Sequence, residues 1–146
     1  MDWTVLVAAA MDAAKSSYAP YSHYGVGAAA LVDDGRFVAG CNVENASYGL
    51  TLCAECGLVS SLMASGGGRL VAFTCVNWAG EVIVPCGRCR QLLWEHGGPA
   101  LKMLTPKGQC TLADMLPQAF GAYDLGVPVD MPDPQGGKDP RGVPHE

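Results

Sequence analysis

The chain has 146 residues, 49% of them hydrophobic and 16% charged, with a formal net charge of −5. That length supports one domain with a real core, and the composition excludes a disordered chain. The acidic balance and the lack of a basic stripe argue against a nucleic-acid partner, no apolar run reaches membrane-spanning length, and the N-terminus has no secretory pattern, so a cytoplasmic location is expected.

Residues 2–17 are predicted to form an amphipathic helix, with Asp2 as N-cap and Val5, Leu6, Ala9 and Ala13 at helical spacing. Tyr18-Ala19-Pro20-Tyr21-Ser22 ends it, because Pro20 holds Ala19 away from helical geometry. Residues 25–32 and 36–42 read as a hairpin around Asp33-Asp34-Gly35. The polar stretch 42–49 is expected to leave the sheet as a loop. A helix over 53–65 is closed by Gly66-Gly67-Gly68, and the near-continuous apolar run 70–78 suits a buried central strand. After the Ala79-Gly80 turn, a short stretch leads to Pro85 and a second helix over 86–96, stopped by Gly97-Gly98-Pro99.

Two short strands, 101–105 and 109–111, and a short helix or turn within 112–120 follow. Strands separated by helices imply an α/β layer structure with a sheet of about five strands. From Gly126 the composition turns to Pro, Gly and charge without an apolar period. One domain is therefore expected over 1–125, with a tail over 126–146 that is mobile and dispensable for chemistry.

Seven cysteines cannot all pair, which excludes a complete disulfide framework. Cys41, Cys75 and Cys110 lie in strand-like stretches and read as free thiols of a reducing compartment. The other four form two clusters, Cys53-Ala54-Glu55-Cys56 and Pro85-Cys86-Gly87-Arg88-Cys89, each opening a predicted helix. Paired thiolate clusters suit Zn²⁺, and the positive end of a helix favours the thiolate form. Four cysteines would make a closed structural site, but such a site has no use for Glu55. A catalytic site does, since an activated water needs a proton acceptor beside it.

The pattern Cys53-Ala54-Glu55 followed by Pro85-Cys86-Gly87-Arg88-Cys89 resembles that of the zinc nucleoside and nucleobase deaminases. The wider similarity is to the small homotetrameric cytidine deaminases and runs from about Val5 to Leu125. It includes Ala19-Pro20-Tyr21-Ser22, Val26-Gly27-Ala28-Ala29, Gly40-Cys41-Asn42-Val43-Glu44-Asn45, Cys89-Arg90-Gln91 and Leu116-Pro117-Gln118-Ala119-Phe120. The resemblance implies a three-layer fold with a mixed sheet of about five strands and helices on both faces. It implies one zinc on Cys53, Cys86 and Cys89, with Glu55 as proton shuttle, and hydrolytic deamination of cytidine and deoxycytidine in pyrimidine salvage.

It further implies substrate contacts from Tyr24, Asn42, Glu44, the Ala54 backbone N–H and Phe120. Phe120 and Tyr48 would reach a neighbouring subunit of a homotetramer. On pattern alone, Asn42 and Glu44 read as loop caps and Tyr24 and Phe120 as core aromatics. Other readings stay open: a deaminase of nucleoside antibiotics, a polynucleotide editor disfavoured by the acidic balance, or a zinc-stapled binding module.

One departure from the family pattern stands out. Many relatives place Arg directly after the catalytic Glu, where this chain has Cys56, and Ala where this chain has Arg88. Three thiolates on Zn²⁺ leave a net negative charge, so Arg88 is the candidate to supply the missing cation, with Arg90 second. His23, His96 and His145 lack ligand spacing and are read as non-catalytic.

Overall fold

Asp2 starts the first helix, its carboxylate accepting from the Thr4 N–H at 2.9 Å. The structure, a computed structural model, describes residues 1–127; the expected tail lies outside the described residues from position 128 onward. Helix α1 spans Trp3–Ala14 and buries the stripe Leu6, Ala10 and Ala14. Val5 faces outward instead. The four-residue spacing of Leu6, Ala10 and Ala14 keeps them on one face, and Val5 falls beside it.

The predicted hairpin is β1 (Val26–Val32) and β2 (Phe37–Cys41), paired antiparallel with Ala28 opposite Gly40. Helix α2 (Ala54–Ala64) follows, then β3 (Leu70–Asn77), the two-residue β4 (Val82–Ile83) and α3 (Gly87–Gly97). Strands β5 (Lys102–Thr105) and β6 (Gly108–Thr111) precede the single-turn α4 (Leu112–Met115). Five strands run in the order β2-β1-β3-β5-β6, and β4 is a sixth, paired to β3 off that path. Only β3 and β5 are parallel, so the sheet is mixed.

Alternation along each strand divides the core into two layers. Ala28, Ala30, Val32, Phe73 and Cys75 pack under α2 and α3 with Leu58, Leu62 and Leu93. Ala29, Ala72 and Val76 pack under α1 with Leu6 and Ala10. Helices thus cover both faces, as expected. Two glycines let them approach. A Cβ on Gly27 would lie 2.0 Å from the Ala10 carbonyl oxygen, and one on Gly40 would lie 2.3 Å from the Leu58 nitrogen. No helix among the described residues is long and apolar enough to cross a membrane.

Candidate metal centre and substrate cleft

The packing of α2 and α3 on the same face of the sheet brings their N-termini together. Cys53 is the N-cap of α2 and Cys86 the N-cap of α3, both in extended backbone. Cys89 lies one turn into α3. The three sulfurs lie within 4.8 Å of one another, and among the described residues no other group of three His, Cys, Asp or Glu side chains converges in this way. Cys56 stands outside this group, so the closed four-cysteine site is not formed.

The thiols differ in acidity. For Cys86, burial raises the pKa, but bonds from the Cys89 backbone N–H and from the Cys89 and Cys53 thiols outweigh it and lower it. Burial pushes the Cys53 thiol up, aided by the negative charges of Cys86 and Glu55. Cys89 is pushed far up by burial and by Glu55, whose carboxylate its thiol contacts. Helix ends alone therefore do not produce three thiolates, because burial and mutual repulsion oppose them. A cation is needed to ionise all three. Three sulfur donors with no oxygen donor among them fit Zn²⁺ rather than Mg²⁺ or Ca²⁺.

Glu55 is 4% exposed, on the first turn of α2 against the sulfur cluster. Ala54, the first residue of α2, is buried at a position whose N–H has no intrahelical acceptor. Arg88 reaches across from α3, its Nη2 at 3.5 Å from the Cys56 sulfur. Arg90 points elsewhere. Its Nε donates to the Pro85 carbonyl at 3.0 Å and its Nη1 to the Met115 carbonyl at 2.9 Å. Gln91 Nε2 donates to the Phe120 carbonyl at 2.8 Å. Arg90 and Gln91 thus brace residues 115–120 against the helix that carries Cys89.

A surface cleft of about 310 Å³ is lined by Tyr21, Ser22, Glu44, Tyr48 and Thr51. Glu44 accepts from the N–H groups of Tyr21 at 3.0 Å and Ser22 at 3.1 Å. The Ser22 hydroxyl, ahead of these backbone bonds and of nearby His23, holds the Glu44 carboxyl below its usual range despite some desolvation. Asn42 Oδ1 accepts from the Val26 N–H at 2.8 Å and from the Ser17 hydroxyl, while Nδ2 donates to the Tyr24 carbonyl at 2.9 Å. Asn42 and Glu44 do act as loop caps, as the pattern alone implied.

Tyr24 and Phe120 are not core aromatics: they are 49% and 57% exposed, and Tyr48 is 75% exposed. Tyr48 meets Tyr21 edge to face at 5.9 Å. The parts that sequence reasoning missed are Ser17 and the braces from Arg90 and Gln91. A serine at a helix end carries no local signal of its tertiary partner.

A family model described as "Cytidine and deoxycytidylate deaminase zinc-binding region" matches residues 3–105. A cytidine deaminase of Mycobacterium tuberculosis is 58% identical over 125 residues, covering 86% of this chain and 94% of that protein. One from Halalkalibacterium halodurans is 38% identical over 130 residues, covering 86% of this chain and 98% of the relative. Among solved structures, cytidine deaminase from Mycobacterium tuberculosis superposes with a TM-score of 0.81 at 59% identity, covering 83% of this chain and 98% of that one. The enzyme from Burkholderia pseudomallei gives 0.74 at 41% identity, over 82% and 100% of the two chains.

Proposed function

The chain belongs to the cytidine and deoxycytidylate deaminase zinc-binding family, and from that premise we propose that it hydrolyses cytidine and deoxycytidine to uridine and deoxyuridine plus ammonia. The observation that carries this is the buried Glu55 carboxylate set against the three converging sulfurs of Cys53, Cys86 and Cys89. These thiolates would hold Zn²⁺, which supplies a Lewis acid that makes water nucleophilic near neutral pH. Glu55 would take a proton from the attacking water and deliver protons to the ring nitrogen and the departing amine. The C4–O bond forms, the C4–N bond breaks, and the amine leaves as ammonia. Burial of Glu55 shields these transfers from bulk water.

The remaining assignments belong to the same reading. The Ala54 N–H faces the pyrimidine carbonyl, Tyr24 packs on the base, Phe120 reaches into a neighbouring subunit's site, and Asn42 and Glu44 bind sugar hydroxyls. The exposed Tyr48 and Phe120 support a homotetramer whose sites are shared between subunits, since large exposed aromatics around a site suit an interface. We place the enzyme in the cytoplasm, in pyrimidine salvage, with residues 1–125 as the catalytic domain. Arg88, on the first turn of α3 between Cys86 and Cys89, is read as the cation that offsets the thiolate charge, although its Nη2 contact at 3.5 Å is to Cys56 outside the three converging sulfurs.

The deciding experiment is ultraviolet absorbance of the purified protein with cytidine, alongside Glu55→Ala. Loss of the cytidine band with ammonia release, abolished in the variant while zinc stays bound, is the expected result. Zinc bound without turnover on cytidine or deoxycytidine would return the chain to the binding-module reading.

A further inference from the structure

Asn42 sits where β2 gives way to the loop that carries Glu44, and its amide is held at three points. Oδ1 accepts from the Val26 N–H and from the Ser17 hydroxyl, and one Nδ2 hydrogen goes to the Tyr24 carbonyl. An amide oxygen has two lone pairs, so the acceptor is saturated and a single Nδ2–H remains to offer. Glu44 is the complement. Ionised and bonded to the Tyr21 and Ser22 N–H groups, it has only acceptor capacity. A group lying between them has to accept from Asn42 and donate to Glu44, which a sugar hydroxyl does.

We propose that Ser17 is a positioning residue that makes Asn42 a pure donor toward the substrate sugar. This rests on the reading of Asn42 and Glu44 as sugar contacts. Val26 is a main-chain donor and is present whatever side chains surround it. Ser17 is the only side chain among the described residues that bonds to the Asn42 oxygen. Its hydroxyl closes the second lone pair, which otherwise could receive a water or a misoriented sugar hydroxyl. A carbonyl that accepts two bonds is also more polarised, and the amide N–H becomes a stronger donor. Ser17 comes from the turn after α1, on the opposite face of the sheet from the metal helices. The amide's orientation is thereby tied to the end of α1.

The test compares the zinc-loaded enzyme with Ser17→Ala, Ser17→Thr and Asn42→Asp, measuring kcat and KM on cytidine and on 2′,3′-dideoxycytidine. For Ser17→Ala the expected result is a rise in KM for cytidine of about five- to tenfold with kcat within about twofold, the size of one lost hydrogen bond. With dideoxycytidine, which lacks the accepting hydroxyls, the same variant should match wild type. Ser17→Thr restores the hydroxyl and should restore KM. An equal loss on both substrates would mean a purely structural role and overturn the proposal, as would an unchanged KM for cytidine. If Asn42→Asp leaves KM for cytidine unchanged and wild type binds both nucleosides equally, the sugar reading itself fails and takes this one with it.

Discussion

Two carboxylates show how one residue type is put to separate uses here. Glu55 is buried against sulfur, whereas Glu44 lies at an open cleft and is held ionised by Ser22 and two backbone N–H groups. A carboxylate whose folded pKa is lowered keeps its charge above the ordinary value and loses it only as pH falls through the lowered one. The KM for cytidine should accordingly show no inflection from Glu44 between about pH 8 and pH 5, rising only below the ordinary carboxylate range of about 4.3. Ser22→Ala removes the largest of the lowering influences and should move that inflection upward. An inflection near neutrality that vanishes in Glu44→Gln would contradict this assignment. Arg88 can be tested without turnover. Arg88→Ala should weaken zinc retention by about tenfold in a chelator competition, at the low end of effects for residues that support metal ligands. Unchanged zinc affinity and kinetics would show a surface arginine only.

Helix α2 depends on β2 as much as on its own sequence. A methyl group on Gly40 would strike the Leu58 nitrogen at 2.3 Å and the Ala54 carbonyl oxygen at 2.4 Å, both backbone atoms that cannot swing aside. Gly40→Ala should lower stability by about 1–3 kcal/mol, the usual cost of overpacking. It should also reduce bound zinc, because Ala54 directly follows Cys53, the proposed ligand. A thermal melt paired with metal analysis reads both effects, and an unaltered melt would refute the contact. The sequence showed the elements well because their signals are local: Asp2, the glycine run at 66–68 and Gly97-Gly98-Pro99 mark ends within a few residues. The two-residue β4 has no such signal. It exists because β3 offers it a free edge beyond the point where β5 pairs.

Across the whole molecule, the convergence of Cys53, Cys86 and Cys89 was legible because cysteine spacing within each cluster survives any packing of the helices. The relations between distant segments were not. Arg88 meeting Cys56, Ser17 meeting Asn42, and the outward placement of Tyr24 and Phe120 all follow from how α2, α3 and the loops settle on the sheet. The expected acidity of all three thiols also depended on burial, which spacing does not encode. If Phe120 and Tyr48 complete a neighbour's site, specific activity should fall together with the tetramer fraction on dilution, followed by light scattering and assay on the same samples. Full activity in an isolated monomer would refute shared sites.

Arg90 donates two hydrogen bonds to separate segments of the chain. Both of its acceptors, on Pro85 and Met115, are main-chain carbonyls, which every amino acid carries. The side chain at 115 can therefore drift without breaking that tie. The link between the loop entering Cys86 and Met115 asks for a particular side chain only at Arg90, while the neighbouring tie to Phe120 rests on Gln91.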